Sequence, residues 1–251
     1  MIKFFRKIRQ KLLSENRFSK YLIYAIGEIV LVVIGILIAL QINNWNELQK
    51  KEKIESVFLQ DFSTDLNTDI KTLKAAIIVN NERIAAADSI ISILSFKNDL
   101  TNVELTDFAN YNISLTSESY FIPEKSAIRQ FESSNGGNII SSKKLKNKLF
   151  RYYALNERVE QNMEKSMQLY QHNFITKSIA EVLLAGNILK TQIGSDLNRQ
   201  DLNLNELRDN SEYLYSVMSK RIGTITQNRV YQTTINAAEE LVNLINDEMS
   251  K

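Results

Sequence analysis

A long apolar stretch stands out near the start of the chain. Residues 22–42 read LIYAIGEIVLVVIGILIALQI, and Glu28 is the one ionisable residue among them. A helix needs about 20 apolar residues to cross the roughly 30 Å hydrocarbon core of a bilayer. The stretch therefore predicts a transmembrane helix over residues 21–45. A cleaved signal peptide is disfavoured, because the apolar run is too long and no small-residue cleavage pattern follows it.

After this stretch, hydrophobic residues recur every three or four positions, as they do on one face of an amphipathic helix. The sequence has neither Gly nor Pro between Gly35 and Pro123, so it contains no strong helix breaker there. The pattern predicts a long helix over residues 47–95 that continues from the apolar stretch, with any bend expected at residues 43–46. The predicted apolar side consists of Phe62, Leu66, Ile70, Leu73, Ile77, Ile84, Ile91 and Leu94, with Asn80 and Ala87 as the small or polar members of a heptad repeat.

Capping and turn signals divide the middle of the chain. Residues 101–104 read TNVE, a capping-box spacing that predicts a short helix over residues 101–111. We expect a loop over residues 112–122. Pro123 then suits the first turn of a second short helix, over residues 123–131.

The remainder of the chain predicts three further helices. They cover residues 143–172, capped by Ser141 or Ser142, then residues 176–194, and finally residues 212–249. The helix over 143–172 is expected to be the antiparallel partner of the first long helix. Its inner side is predicted to hold Leu145, Leu149, Tyr152, Asn156, Val159, Met163 and Tyr170, and that of the last helix Leu214, Met218, Ile222, Ile225, Ile235, Ala238, Val242, Ile245 and Met249.

These elements define an all-α fold class. The prediction is one N-terminal transmembrane helix followed by a coiled-coil-like bundle of long helices over residues 46–251. The heptads could pack within one chain or between chains, and the pattern does not distinguish the two.

The distribution of charge indicates an orientation in the membrane. Residues 1–20 carry seven Lys and Arg against Glu15 alone, whereas the rest of the chain is slightly acidic. The positive-inside rule therefore places this basic tail in the cytoplasm and the bundle outside. Because the basic charge is confined to a short tail, no nucleic-acid partner is expected. Residues predicted to contact the membrane surface are Lys3, Arg6, Lys7, Arg9 and Lys11, either on an amphipathic helix or as a plain charge cluster that stops translocation.

Glu28 is unusual because it is an ionisable residue within the apolar stretch. Placing a carboxylate in hydrocarbon costs about 3 kcal/mol on insertion scales. Ionisable residues in membrane spans therefore commonly face protein or water. At helical spacing Glu28 shares a face with Gly35 and Ala39, two small residues that let helices approach closely. We expect this face to contact another transmembrane helix. Ion or proton coupling by Glu28 and a merely tolerated acid are the alternatives.

The N-terminal residues also resemble a known family. The run YLIYAIGEIVLVVIGILIALQINNWNE, preceded by MIKFFRKIRQKLLSENRFSKY, closely resembles the N-terminal signature of an uncharacterised family of single-span membrane proteins of Gram-negative bacteria. A looser resemblance covers Phe131 through Gly136 and Gly137 to Tyr153. The resemblance implies a bacterial inner-membrane protein with a periplasmic C-terminal domain. It carries over no catalytic residue.

Candidate chemistry is sparse in this sequence. There is no Cys, and His172 is the single histidine, without the metal-ligand or nucleophile spacing that would give it a partner. No phosphate-binding Gly loop is recognisable. We therefore expect no enzyme activity, no cofactor and no metal. Aromatic residues around the least regular segment could form a partner surface or could instead seal the core: Phe108, Tyr111, Tyr120, Phe121 and Phe131.

The leading functional hypothesis is a non-enzymatic, membrane-anchored helical interaction or scaffold module of the cell envelope. Its partners would be the lipid bilayer and either a second copy or another membrane protein, reached through the Glu28 face. One alternative is an envelope sensor whose outer bundle binds a small ligand. Another is an accessory subunit of an ion-coupled complex that uses Glu28.

Overall fold

The computed structural model describes residues 18–96, 100, 103–117, 119–134, 139–174, 177–185 and 202–250. Seven α-helices and no strand occur in these residues, which confirms the all-α fold class. In chain order the helices are α1 Phe18–Phe96, α2 Leu105–Thr116, α3 Ser126–Ser133, α4 Lys143–Phe174, α5 Lys177–Ala185, α6 Leu204–Asp209 and α7 Ser211–Met249.

The first helix includes both the apolar stretch and the long heptad pattern. It stays helical through residues 43–46, where a bend was expected. Its residues fall into two compact units of the chain, residues 1–56 and residues 57–251. The first unit contains the apolar stretch, and the second contains all the buried clusters described below.

Three hydrophobic clusters form the core of the second unit, and α1 contributes to each of them. The Phe62 cluster joins α1 to α3, α4 and the C-terminal half of α7. The Tyr231 cluster joins α1 to Phe121 and to the middle of α7. The Phe108 cluster joins the end of α1 to α2, α5, α6 and the start of α7. The described residues between α1 and α4 are thus packed along α1.

Polar pairs between α1 and α7 show that these two helices run antiparallel. Lys74 contacts Glu239 at 2.9 Å, and Asn80 donates to Asn228 at 2.8 Å. Further along α1, Asp88 pairs with Arg221 at 2.5 Å. Residue numbers therefore rise on α1 as they fall on α7. The antiparallel partner that these contacts define is α7, whereas the sequence pattern favoured the helix over 143–172.

The heptad of α1 is confirmed at one of its two inner positions. Leu66, Leu73, Asn80, Ala87 and Leu94 are all buried. The second inner position is occupied by Phe62, as predicted, but beyond it by Asp69, Ala76, Arg83 and Ile90, while the predicted Ile70, Ile77, Ile84 and Ile91 are only half-buried.

Polar contacts from other parts of the chain explain this shift on α1. Asp69 and Arg83 each bond a distant segment, so they turn inward and move the neighbouring isoleucines toward the edge of the helix face.

Two short helices begin or end away from their predicted limits. Helix α2 starts at Leu105 after an extended Glu104, and it continues to Thr116 through residues predicted to be a loop. Its extension is stabilised by Asn112 and Leu115, which are buried in or beside the Phe108 cluster. Thr101, the predicted cap, lies outside the described residues.

Helix α3 begins at Ser126, three residues after Pro123, so the prediction that Pro123 occupies its first turn is wrong. The N-cap residue Lys125 makes no side-chain cap bond of its own. A side chain of α1 supplies the cap from across the core, as described below. The start of α4 is as predicted, because Leu145 N–H donates to Ser142 Oγ at 3.3 Å.

The inner face of α7 is predicted correctly only in its C-terminal half, and there not at Met249, which is 47% exposed. Ile235, Ala238 and Ile245 are buried, as expected. In the N-terminal half, Met218 and Ile222 are 52% and 58% exposed. The positions that point inward there are instead Tyr213, Ser216, Val217, Lys220 and Thr224.

Candidate functional site

The apolar part of α1 is covered by no other described part of the chain. Between Leu22 and Trp45 large hydrophobic side chains are exposed on every side of the helix, and none is buried. In water such a surface would be costly, because each exposed Leu, Ile or Val side chain forgoes about 1.5–3 kcal/mol of burial. By length and composition this stretch is a candidate membrane span.

The small residues of the predicted contact face are not covered by any described part of the chain. Glu28 is half-exposed, and Gly35 and Ala39 are exposed. A Cβ added at Gly35 would meet no atom within 4 Å. The small residues thus leave room for a closely packed helix at this position. The five predicted membrane-surface cations, Lys3, Arg6, Lys7, Arg9 and Lys11, lie outside the described residues.

The five aromatic residues of the predicted partner surface do not form one surface. Phe108, Phe121 and Phe131 are buried, each in a different one of the three clusters. Tyr111 is half-buried and Tyr120 is 38% exposed. Of the two alternatives for these aromatic residues, the three phenylalanines therefore fit the sealing of the core and not a partner surface. They are buried because the described residues between 103 and 134 pack lengthwise along α1.

A pair of buried carboxylates is the most organised polar feature of the second unit. Asp65 and Asp69 lie one turn apart on α1. Asp65 accepts hydrogen bonds from Ser126 Oγ and from Ala127 N–H, both at 2.8 Å. The latter bond satisfies a backbone donor in the first turn of α3, where a negative charge also interacts favourably with the helix dipole. Asp65 is thus the N-cap of α3, supplied from another helix.

The second carboxylate connects two more segments to α1. Asp69 accepts from Glu124 N–H and from the Tyr152 hydroxyl, each at 2.8 Å. All four oxygens of the pair therefore accept a hydrogen bond from a residue at least 55 positions away. We call this set the aspartate clasp: Asp65, Asp69, Glu124, Ser126, Ala127 and Tyr152.

Burial changes the acidity of the clasp. It raises the pKa of Asp69 from 3.8 to about 6, because a carboxylate is poorly solvated in the core. The hydrogen bonds from Glu124 N–H and Tyr152 oppose this rise in pKa, while the charges of Asp65 and Glu124 add to it. Burial likewise raises the pKa of the Tyr152 and Tyr153 hydroxyls, which remain protonated.

One buried hydroxyl beside the clasp lacks a hydrogen bond. The Tyr153 hydroxyl has no partner within bonding distance in the described part of the chain, whereas the Asn156 side chain interacts with the Tyr152 hydroxyl. The negative charges of Asp65, Asp69 and Glu124 act with burial to raise the pKa of the Tyr153 hydroxyl. This hydroxyl therefore keeps its capacity to donate and to accept a hydrogen bond.

A second buried polar layer crosses the bundle further along α1. Arg83 donates to Asn80 Oδ1 at 2.9 Å and to the backbone carbonyl of Ser117. Asn80 in turn donates to Gln227 Oε1 at 3.2 Å and to Asn228 Oδ1 at 2.8 Å. Such layers fix the register of packed helices, because a one-turn slip would leave buried polar groups unpaired.

The sequence does contain a signal for both polar features, namely a heptad spacing. It is missed when only the apolar positions are considered. Phe62, Asp69, Ala76, Arg83 and Ile90 are spaced by seven, in step with the buried positions of the heptad. A charged residue at an inner heptad position commonly marks a specific partner. No group of three or more potential metal ligands occurs among the described residues. The side chain of His172 lies outside them.

The protein is thus an all-helical protein with one candidate membrane span, and buried polar contacts hold its bundle together. The chain belongs to DUF6090, a family of unknown function whose match covers residues 28–201, more than half of its length. No curated protein matches it, and no solved structure does.

Proposed function

We propose that the protein is a membrane-anchored helical interaction module of the bacterial cell envelope. The observation that carries the proposal is the exposed apolar surface of residues 22–42, which no described part of the chain covers. A bilayer would remove that surface from water, and a helix of this length is long enough to cross its hydrocarbon core. In this arrangement the basic tail lies in the cytoplasm and the second unit in the periplasm.

The anchor itself is proposed to make the specific contact. Glu28, Gly35 and Ala39 share one face, and the close approach allowed by Gly35 and Ala39 favours a second helix there. In hydrocarbon, Glu28 is best accommodated by a partner that supplies hydrogen bonds. We propose self-association of two or more copies through this face, with Glu28 as a polar contact.

The role of the second unit in this proposal is structural. Its buried polar contacts give the bundle one defined packing, as a scaffold that displays a partner surface requires. The long helices bring distant parts of the chain together along α1, and no catalytic arrangement is part of the proposal.

Disulfide trapping tests the self-association, since the native chain has no Cys. Gly35→Cys should give a covalent dimer on oxidation in native membranes. The matched control is Leu37→Cys, which lies at a similar depth but on the opposite side of the helix, and it should stay monomeric. Addition of Glu28→Leu to Gly35→Cys should reduce the dimer. Equal cross-linking at residues 35 and 37 would mean random collision and would end the proposal.

The position of Glu28 also supports a second candidate function, as an accessory subunit of a larger membrane complex. In that case the partner on the Glu28 face is a different protein. Gly35→Cys and Leu37→Cys would then both remain monomeric. Purification in mild detergent would recover a polytopic protein with the wild type and lose it with Glu28→Leu.

A further inference from the structure

The aspartate clasp brings together groups that a purely structural contact does not need. Two carboxylates lie one turn apart in the core, and four hydrogen bonds connect them to α3, to the segment before it and to α4. Among the described residues, no Lys or Arg forms an ion pair with Asp65 or Asp69. The negative charge of the clasp is therefore balanced only by dipoles.

We propose that the aspartate clasp is a proton-operated device. Asp69 takes up a proton from solution when its surroundings acidify, and this uptake tightens the hold of α1 on residues 124–127 and on α4. The clasp is looser at neutral pH, where Asp69 carries its charge. The response belongs to the second unit and does not depend on self-association through residues 22–42.

The charged groups nearest to Asp69 are acids, and they favour its protonation. On α1 the nearest is Asp65, and on the segment before α3 it is Glu124. Lys125, the neighbouring cation, forms an ion pair with Glu160 of α4 at 2.5 Å. From α4 come the neutral hydroxyls of Tyr152 and Tyr153.

The remaining element, α7, contributes no compensating cation to the clasp. Its side chains in the Phe62 cluster are apolar: Ala238, Leu241 and Ile245. Its nearby acids form ion pairs with other residues: Glu239 with Lys74, and Glu240 with Lys148. Protonation of Asp69 thus removes a buried charge that faces mostly other acids and hydroxyls.

The neutral carboxyl can keep the geometry of the clasp. After Asp69 Oδ2 binds the proton, Oδ1 still accepts from Glu124 N–H. The new O–H can donate to a tyrosine hydroxyl, because a hydroxyl both donates and accepts. Tyr152 can reverse its role, and the nearby Tyr153 hydroxyl has unused capacity. The contact between Asp69 and Tyr152 is then kept with donor and acceptor exchanged.

The sign of the effect follows from proton linkage. Asp69 binds its proton more tightly in the folded chain, where its pKa is about 6, than in the unfolded chain, where it is 3.8. The folded or closed state therefore gains stability as the pH falls through 6, and the gain is complete below about 4. Acidification from pH 7 to pH 5 should reduce the opening equilibrium of the clasp about tenfold.

Hydrogen exchange of the full-length chain in detergent micelles tests the device. After correction for the intrinsic exchange rate, the amides of residues 124–133 should become about tenfold better protected at pH 5 than at pH 7. Asp69→Asn, which imitates the neutral acid, should abolish this dependence. Tyr152→Phe removes a bond that lowers the pKa of Asp69, so the transition should move to higher pH.

Two control variants separate Asp69 from other titrating groups. Asp61→Asn changes a partly exposed aspartate two turns earlier on α1 and should leave the transition in place. His172→Gln removes the one histidine and should do the same. A transition that survives in Asp69→Asn, or is lost in His172→Gln, overturns the proposal. If Asp69→Asn does not fold, Tyr152→Phe decides, and an unmoved midpoint overturns it equally.

Discussion

Tyr152 of α4 donates a hydrogen bond of 2.8 Å to Asp69 of α1, 83 positions earlier in the chain. Asp69 also holds the backbone of Glu124, so one carboxylate joins three segments. Because a buried carboxylate is tolerated only when its lone pairs are bonded, the three segments stabilise each other. Several consequences can be measured.

The cap that α1 supplies to α3 should make Asp65 a major contributor to stability. Asp65→Ala removes two bonds of 2.8 Å and leaves the buried Ala127 N–H without an acceptor. The free energy of unfolding should fall by about 2–3 kcal/mol. Urea titration of the full chain in detergent, followed by circular dichroism, measures it. Asp61→Ala, one turn earlier and partly exposed, should change it by less than about 0.5 kcal/mol. Equal effects would contradict the cap.

Tyr213 should matter more than Tyr215, although the two are neighbours on α7. Tyr213 is buried and donates to Asn112 Oδ1 at 2.8 Å, whereas Tyr215 is 72% exposed. Tyr213→Phe leaves that amide oxygen unbonded in the core and should cost about 1–2 kcal/mol. Tyr215→Phe should be nearly neutral. Thermal unfolding of the two variants side by side is sufficient, and equal midpoints would refute the burial of Tyr213.

The face of α1 that forms the core should be detectable by truncation. Leu73→Ala empties a fully buried position and should lower the free energy of unfolding by about 2–5 kcal/mol. Ile78→Ala removes a side chain that is 62% exposed and should cost about 0.5 kcal/mol or less. Denaturant unfolding distinguishes the two, and a large loss with Ile78→Ala would place that side of α1 in a contact between chains.

The ion pair between Lys74 and Glu239 should add little stability. Both side chains are about half-exposed, at 58% and 48%, and solvent screens their attraction. A double-mutant cycle with Lys74→Met and Glu239→Gln should give a coupling of about 0.5 kcal/mol or less, smaller still at high salt. A coupling above about 2 kcal/mol would show that the α1–α7 contact is more shielded than the structure has it.

The proposed orientation can be tested with single cysteines. Ala154→Cys occupies an exposed position of α4 in the second unit, and it should react with a membrane-impermeant maleimide once the outer membrane is opened. Lys7→Cys, in the basic tail, should react only after the inner membrane is permeabilised. The reverse pattern would invert the topology.

The accuracy of the sequence predictions varied with the range of the interactions involved. The long helices and the buried heptad from Leu66 to Leu94 were predictable, because helical periodicity is local and regular. The start of α3 was not, since Pro123 suggested a first helical turn at that residue, whereas the acceptor that caps the helix, Asp65, lies about 60 positions away. The aromatic residues Phe108, Phe121 and Phe131 were ambiguous, because a pattern does not reveal which segment will cover them.

What the sequence alone determined is the helical character of the chain, its heptads and its long apolar stretch, all of which follow from the order of residues along one helix. The tertiary structure decided which of two adjacent stripes on α1 faces inward. Asp69 and Arg83 are buried, whereas the neighbouring Ile70 and Ile84 are only half-buried. The reason is physical: a buried polar group is stable only with its hydrogen-bond partners, and here those partners come from distant segments.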